Sequence, residues 1–206
     1  MAAAYAFGPY HQYASRAKPG GYQHLVAQNV ARTAAEDETV PFYVSMNDVS
    51  AILLFSPLPW DSERMGTDCY RIELYVAGGG AQQQALAARK IIHQAIIQCG
   101  EKQLHYLSAR VNCAELPVVH ALEDEGFLMM DCLLTLACWP PYSDELRITP
   151  GTSIRVCSED DIEQVKTIAR SAFLVDRFHV DPRISKETAD ELYVTWAEAC
   201  CRGHLE

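Results

Sequence analysis

The sequence predicts an α/β fold in two units, and three observations carry that reading. Short apolar segments of strand-like composition alternate with longer segments of helical period, Gly and Pro punctuate them, and a polar stretch near residue 150 interrupts the series. Residues 51–55 (AILLF), closed by Ser56-Pro57-Leu58-Pro59, form the first expected strand; residues 70–77 (YRIELYVA) form the second and lead into Gly78-Gly79-Gly80. A helix over 81–98 follows, with Ala85, Leu86, Ile92, Ala95 and Ile96 as its apolar stripe and Gly100 as its stop. Residues 104–111 read as a strand. Asn112 with Glu115 resembles a capping box for a helix to about residue 125, Pro117 shifting its start by a residue or two, and Gly126 ends it. The run 127–136 (FLMMDCLLTL) is apolar enough for a strand buried on both faces.

Trp139-Pro140-Pro141-Tyr142 breaks the pattern and makes 140–151 the expected linker between a unit over 40–139 and a second over 152–206. In the second unit, 152–157 alternates as a short strand. Ser158 with Asp161 caps a helix carrying Ile162, Val165, Ile168, Ala169 and Ala172, and 188–200 is a further helix with Ala189, Leu192, Tyr193 and Trp196 on one side. Residues 1–39, rich in Ala, Tyr, Gln and Gly, read as an extension free to flex, with room for a short helix over 22–35.

A net charge of −10 on 206 residues argues against nucleic acid, whose phosphates demand a basic face, and against an anionic membrane surface. No apolar run approaches the ~20 residues of a spanning helix, and the first eight residues lack a secretory layout, so a cytoplasmic location is the default expectation. Eight cysteines (Cys69, Cys99, Cys113, Cys132, Cys138, Cys157, Cys200, Cys201) lie within apolar patterns and form no CxxC, which reads as reduced, core-filling thiols. His93, His105 and His120 have no partners at ligand spacing, so no metal is expected.

Three blocks of residues resemble one family. Trp60-Asp61-Ser62 with Gly66 resembles the opening W-D/E-S/N-x-F-x-G motif of the nucleotide-amino-sugar acyltransferases related to TDP-fucosamine acetyltransferase, within the GNAT superfamily. Arg110, Ala121-Leu122-Glu123, Gly126-Phe127, Asp131 and Leu133 to Leu136 resemble its second stretch. Arg177-Phe178-His179, Asp181-Pro182, Ala189-Asp190, Tyr193, Trp196 and Gly203 resemble its third, RFH-x-DP through A-D-x-x-Y-x-x-W. The resemblance implies a mixed sheet flanked by helices as an N-terminal auxiliary domain, followed by the first strand and helices of an acyl-CoA N-acyltransferase core. It further implies transfer of an acetyl group from acetyl-CoA to an amino group on a sugar nucleotide or similar small amine.

Two departures qualify the implication. Glu63-Arg64-Met65 stands where the opening motif carries its aromatic, and the pyrophosphate-binding signature Q/R-x-x-G-x-G/A, whose backbone N–H groups would cradle coenzyme A, does not occur. The expectation is therefore an incomplete core, with acetyl-CoA as co-substrate of a full-length protein and not bound by this chain. The alternative is a non-catalytic interaction module of an acyltransferase, with a homodimer as the self-association to look for.

On the resemblance, the loop 177–183 borders the acceptor. Arg177 is then a partner for a substrate phosphate, His179 an acceptor of a proton or hydrogen bond, and Phe178 part of the same site. Against this stands a loop stapled by an Arg-Asp pair with Phe178 in the core. Trp60 and Asp61 are either a wall of the sugar pocket or part of an anchored turn entering the next strand. Gly78-Gly79-Gly80 lacks the Gly-Lys-Ser/Thr ending of a P-loop and reads as a flexible turn.

Overall fold

Alternating apolar residues between positions 40 and 77 close into an antiparallel meander of β1 (Val40–Met46), β2 (Val49–Pro57) and β3 (Cys69–Ala77). A computed structural model describes residues 21–100, 105–134 and 151–204. The chain divides into two units, residues 1–129 and 130–206. The expected linker 140–151 lies outside the described residues apart from Gly151.

In the first unit, register places Phe42 opposite Leu53, Leu53 opposite Leu74, and Phe55 opposite Ile72, so one row of apolar side chains runs across the sheet. After β3 the chain crosses over through α3 (Ala81–Gly100) and returns as β4 (Tyr106–Ala109), parallel to β3, giving a mixed sheet in the order β1-β2-β3-β4. α3 packs on β1, β2 and β3, and α4 (Leu116–Asp124) packs on α3 through Val118, Ala121 and Leu122. α1 (Gly21–Ala34), close to the short helix allowed over 22–35, lies against β2 with Val26 and Thr33 buried. The architecture is α/β, a mixed sheet flanked by helices.

The sequence reading places no strand at β1. Its Pro41, and its outward Tyr43 and Ser45, sit on an edge, where a missing N–H costs no ladder bond. α2 (Pro59–Met65) was expected as a turn and is a short helix with proline in its first turn. The stripe of α3 is rotated from the expected one: Ala87, Ala88, Ile91, Ile92 and Ala95 are fully buried, while Leu86 is 54% exposed. Ala and Ile surround most of this helix, so periodicity alone does not select the face; contact with the sheet does.

Three further expectations are corrected. Residues 127–134 form no strand, and Leu128, Met129, Leu133 and Leu134 are exposed; residues 135 and 136 lie outside the described set. Residues 152–157 likewise pair with no strand among the described residues, leaving Ile154 85% and Val156 89% exposed. Apolar alternation makes a strand only where a partner accepts its backbone hydrogen bonds. The helix after Asn112 starts at Leu116, and Asn112 Oδ1 accepts from the Ala114 N–H at 2.9 Å as a local turn in place of a capping box.

Cys69 is buried, but Cys113, Cys132 and Cys200 are exposed, so core filling does not describe those three. The six cysteines whose side chains are described are not joined in disulfides, and the side chains of Cys99 and Cys138 lie outside that description. Among the described residues no helix is long and apolar enough to cross a membrane.

In the second unit, a 3-10 turn (Glu159–Asp161) enters α5 (Ile162–Ala172), which packs along α7 (Lys186–Cys201), with the short α6 (Arg177–Val180) between them in sequence. The expected cap is present. The Ser158 N–H and hydroxyl both reach Asp161, at 2.8 and 2.7 Å, and Arg155 holds the same carboxylate at 2.6 and 2.7 Å. These contacts hold the Asp161 carboxyl far below the usual carboxylate range, Arg155 first and Ser158 second.

The triple glycine is set by contact as much as by flexibility. Gly78 has φ +85, and a Cβ there would meet the Asp48 carbonyl oxygen at 2.0 Å, because the end of β3 passes directly over the β1–β2 turn. Gly66, at φ +64, faces open space. Gly78→Ala should therefore cost on the order of 2–4 kcal/mol of unfolding free energy, and Gly66→Ala about 1 kcal/mol. Urea midpoints at constant slope measure both; equal losses would mean that the close approach at Gly78 is relieved cheaply.

Candidate functional site

The residues of the third resemblance block lie on α6, α7 and the turn between them, apart from Gly203, which follows α7. Asp176 caps α6: its Oδ1 accepts from the Phe178 N–H at 2.9 Å and the His179 N–H at 3.4 Å. Its other oxygen lies 2.5 Å from His179 Nδ1, and His179 Nε2 lies 3.0 Å from Asp190 Oδ1 on α7. Asp190 is also bonded by Lys186 Nζ at 2.9 and 2.6 Å, one helical turn earlier. The His179 side chain is 6% exposed, so these bonds are made out of water.

A neutral imidazole donates from one ring nitrogen and presents a lone pair at the other, and that lone pair would face a carboxylate. Only the imidazolium donates to both. Burial acts to lower the His179 pKa, but the hydrogen bonds and charges of Asp190 and Asp176 outweigh it and hold the group above the ordinary 6.5. Asp176 is likewise pushed up by burial and drawn down further by Phe178 N–H and His179, ending below the ordinary 3.8. Lys186 and then His179 hold Asp190 low.

Around this tie lie aromatic contacts. Tyr193 stacks on Phe173 at 4.0 Å and on His179 at 5.8 Å, and meets Phe178 and Trp196 edge-on at 6.1 and 6.4 Å. Burial first, and then the Asp176 charge, push its hydroxyl well above the usual tyrosine range. The following turn is closed by Asp181, 1% exposed, which accepts from the Arg183 N–H at 3.0 Å and from its guanidinium at 2.8 and 2.7 Å. Asp131 Oδ2 accepts from the Arg177 N–H at 3.1 Å, bringing a residue of the second resemblance block into the same cluster.

Of the residues singled out in the sequence, Arg177 is half-buried with its guanidinium 4.4 Å from the centre of the Phe178 ring, Phe178 is buried, and His179 is engaged at both ring nitrogens. Trp60 and Asp61 lie on α2 in the first unit. There Arg64 covers the Trp60 ring at 4.2 Å, while Ser62 Oγ donates to the Leu58 carbonyl at 2.8 Å and accepts from the Cys69 N–H at 2.9 Å, tying α2 to the start of β3. Asp176 and Lys186 escaped the sequence reading; their spacing of three to His179 and of four to Asp190 was the available signal. Among the described residues no group of three or more His, Cys, Asp or Glu is placed to hold a metal ion.

Among known proteins, the chain is similar to the spore coat polysaccharide biosynthesis protein SpsD of Bacillus subtilis strain 168, at 21% identity over 194 residues. The match takes in 87% of this chain and 65% of that protein, so the chain spans just under two thirds of the relative's length. No family model matches the chain, and no solved structure does.

The charge pattern dictates a pH window. Because the folded His179 pKa is raised, its contribution is complete below the unfolded value of 6.5 and fades as pH rises through the folded one. Asp176, Asp181 and Asp190 are lowered from 3.8, so their contributions are complete above that value and fade as pH falls through the folded ones. Thermal melts of the protein should show greatest stability between roughly pH 4 and 6.5, and His179→Gln should flatten the loss on the alkaline side. An alkaline limb of unchanged slope in that variant would refute the imidazolium tie.

Proposed function

We propose that these residues form the acceptor side of an acyl-CoA-dependent N-acyltransferase that acetylates an amino group on a sugar nucleotide or similar small amine in polysaccharide biosynthesis. The observation that carries the reading is convergence. Residues that bear the family resemblance, Asp131, Arg177, Phe178, His179, Asp190, Tyr193 and Trp196, belong to one cluster of hydrogen bonds and ring contacts, although they span positions 131 to 196. The similarity to a protein named for spore coat polysaccharide biosynthesis supports a sugar substrate.

Such a reaction forms an amide bond as the amine nitrogen attacks the thioester carbonyl, and the thiol of coenzyme A leaves. Catalysis rests largely on holding amine and thioester in line. In this reading Arg177, set against Phe178 and anchored through its N–H to Asp131, receives a phosphate of the nucleotide. His179 contributes by position: with both nitrogens donating it has no lone pair for the ammonium proton. In this reading acetyl-CoA is the donor and is assigned to residues other than these.

A second reading, a non-catalytic interaction or dimerisation module, draws on the exposed apolar side chains Leu133, Leu134, Ile154, Val156, Leu174 and Val175 of the second unit. Sedimentation separates it: self-association in the micromolar range favours it, and a concentration-independent monomer removes it.

Calorimetry with a TDP-linked amino sugar should give one site per chain. Arg177→Ala should weaken it about 10- to 100-fold, the loss of a charge-assisted contact of roughly 1.5–3 kcal/mol, with an unchanged melting temperature. Titration with acetyl-CoA should give no specific heat at millimolar ligand. Absence of amino-sugar binding by the folded protein would sink the acceptor assignment, and a micromolar acetyl-CoA isotherm would move the donor onto this chain.

A further inference from the structure

Cys157 and Cys201 stand 44 positions apart in sequence, yet their sulfurs approach to 2.8 Å. Cys157 immediately precedes the Ser158 cap, and Cys201 is the last residue of α7. One ion pair holds the two chain segments together at this point: Arg202, itself paired with Glu198 of α7 at 3.0 Å, reaches Glu159 of the 3-10 turn. Both thiols are partly exposed, and they line an open depression of about 370 Å³ together with Glu159, Ile162, Arg202 and His204.

We propose that Cys157 and Cys201 are a reversible disulfide site, oxidised by exchange with a low-molecular-weight disulfide such as oxidised glutathione. A disulfide needs its sulfurs at about 2.05 Å, so the pair must close by less than about 1 Å, and the Arg202–Glu159 ion pair beside it already joins the segments that carry it. The Cys157 thiol donates to the Cys201 sulfur, and that bond first, then burial, push its pKa up to about 11. With the Cys157 thiol turned toward it as donor, Cys201 is the sulfur placed to attack.

The Cys201 thiolate attacks one sulfur of the small disulfide and expels a thiolate, forming a mixed disulfide. Cys157 then loses its proton and attacks the Cys201 sulfur, expelling the second thiolate. The pair loses two electrons and two protons, and the small disulfide is reduced to two thiols. The new bond ties the entry to α5 to the end of α7, the helix whose first half carries Asp190.

The test is to equilibrate the full chain with oxidised glutathione, block remaining thiols by alkylation, and map peptides without reduction. The expected product is a peptide containing Cys157 linked to the peptide containing Cys200 and Cys201, reopened by dithiothreitol. The link should persist in Cys200→Ser and vanish in Cys201→Ser and in Cys157→Ser. Glutathione adducts without the cross-link, or a link that survives Cys201→Ser and is lost in Cys200→Ser, would overturn the proposal.

Discussion

A buried imidazole with a carboxylate on each ring nitrogen can satisfy both only as a cation, and this requirement organises the second unit. Asp176 serves two structures at once, capping α6 with one oxygen and binding His179 with the other. Asp190 joins the same imidazole to α7 and is itself balanced by Lys186. Asp176, His179 and Asp190 together hold the short α6 against α7. Phe178 and Tyr193 supply the rest, packing edge to face beside the tie.

The first unit rests on a different economy. Its central strand β2 is hydrogen-bonded on both edges, and Leu53, Leu54 and Phe55 are buried there in succession, so both faces of the strand are covered. α3 supplies one cover with small and β-branched side chains, burying Ile91 and Ile92 at about 1.5–3 kcal/mol each. Ala87, Ala88 and Ala95 let that helix lie close. The approach of Gly78 to Asp48 then sets where β3 ends and α3 begins.

The candidate site joins chemistry and scaffold in the same residues. Asp181 and Arg183 close the turn after α6, Asp131 holds the Arg177 backbone, and Arg177 lies over Phe178. The arrangement contains the staple that a structural role requires and the cation that a phosphate requires, on neighbouring positions. His179 belongs to the staple, because its two nitrogens are spent on carboxylates, whereas Arg177 is the residue to which the phosphate contact is proposed.

Local rules sufficed where a residue's partners are near it in sequence. The strands 51–55 and 70–77, the crossover helix, and the Ser158–Asp161 cap follow from alternation, helical period and capping chemistry, and the structure has all of them. The same rules failed at 127–134 and 152–157, where apolar composition suggested strands that find no pairing among the described residues. They also failed at the face of α3, since an Ala- and Ile-rich helix offers several apolar stripes. The site divides in the same way. Arg177, Phe178 and His179 could be singled out as a motif in sequence, but Asp190, eleven positions away, comes to raise the His179 pKa beside Asp176 only in the folded chain. Spacing records which groups lie on one turn of a helix; burial and long-range contact decide which of them share a proton, and those exist only in the tertiary structure.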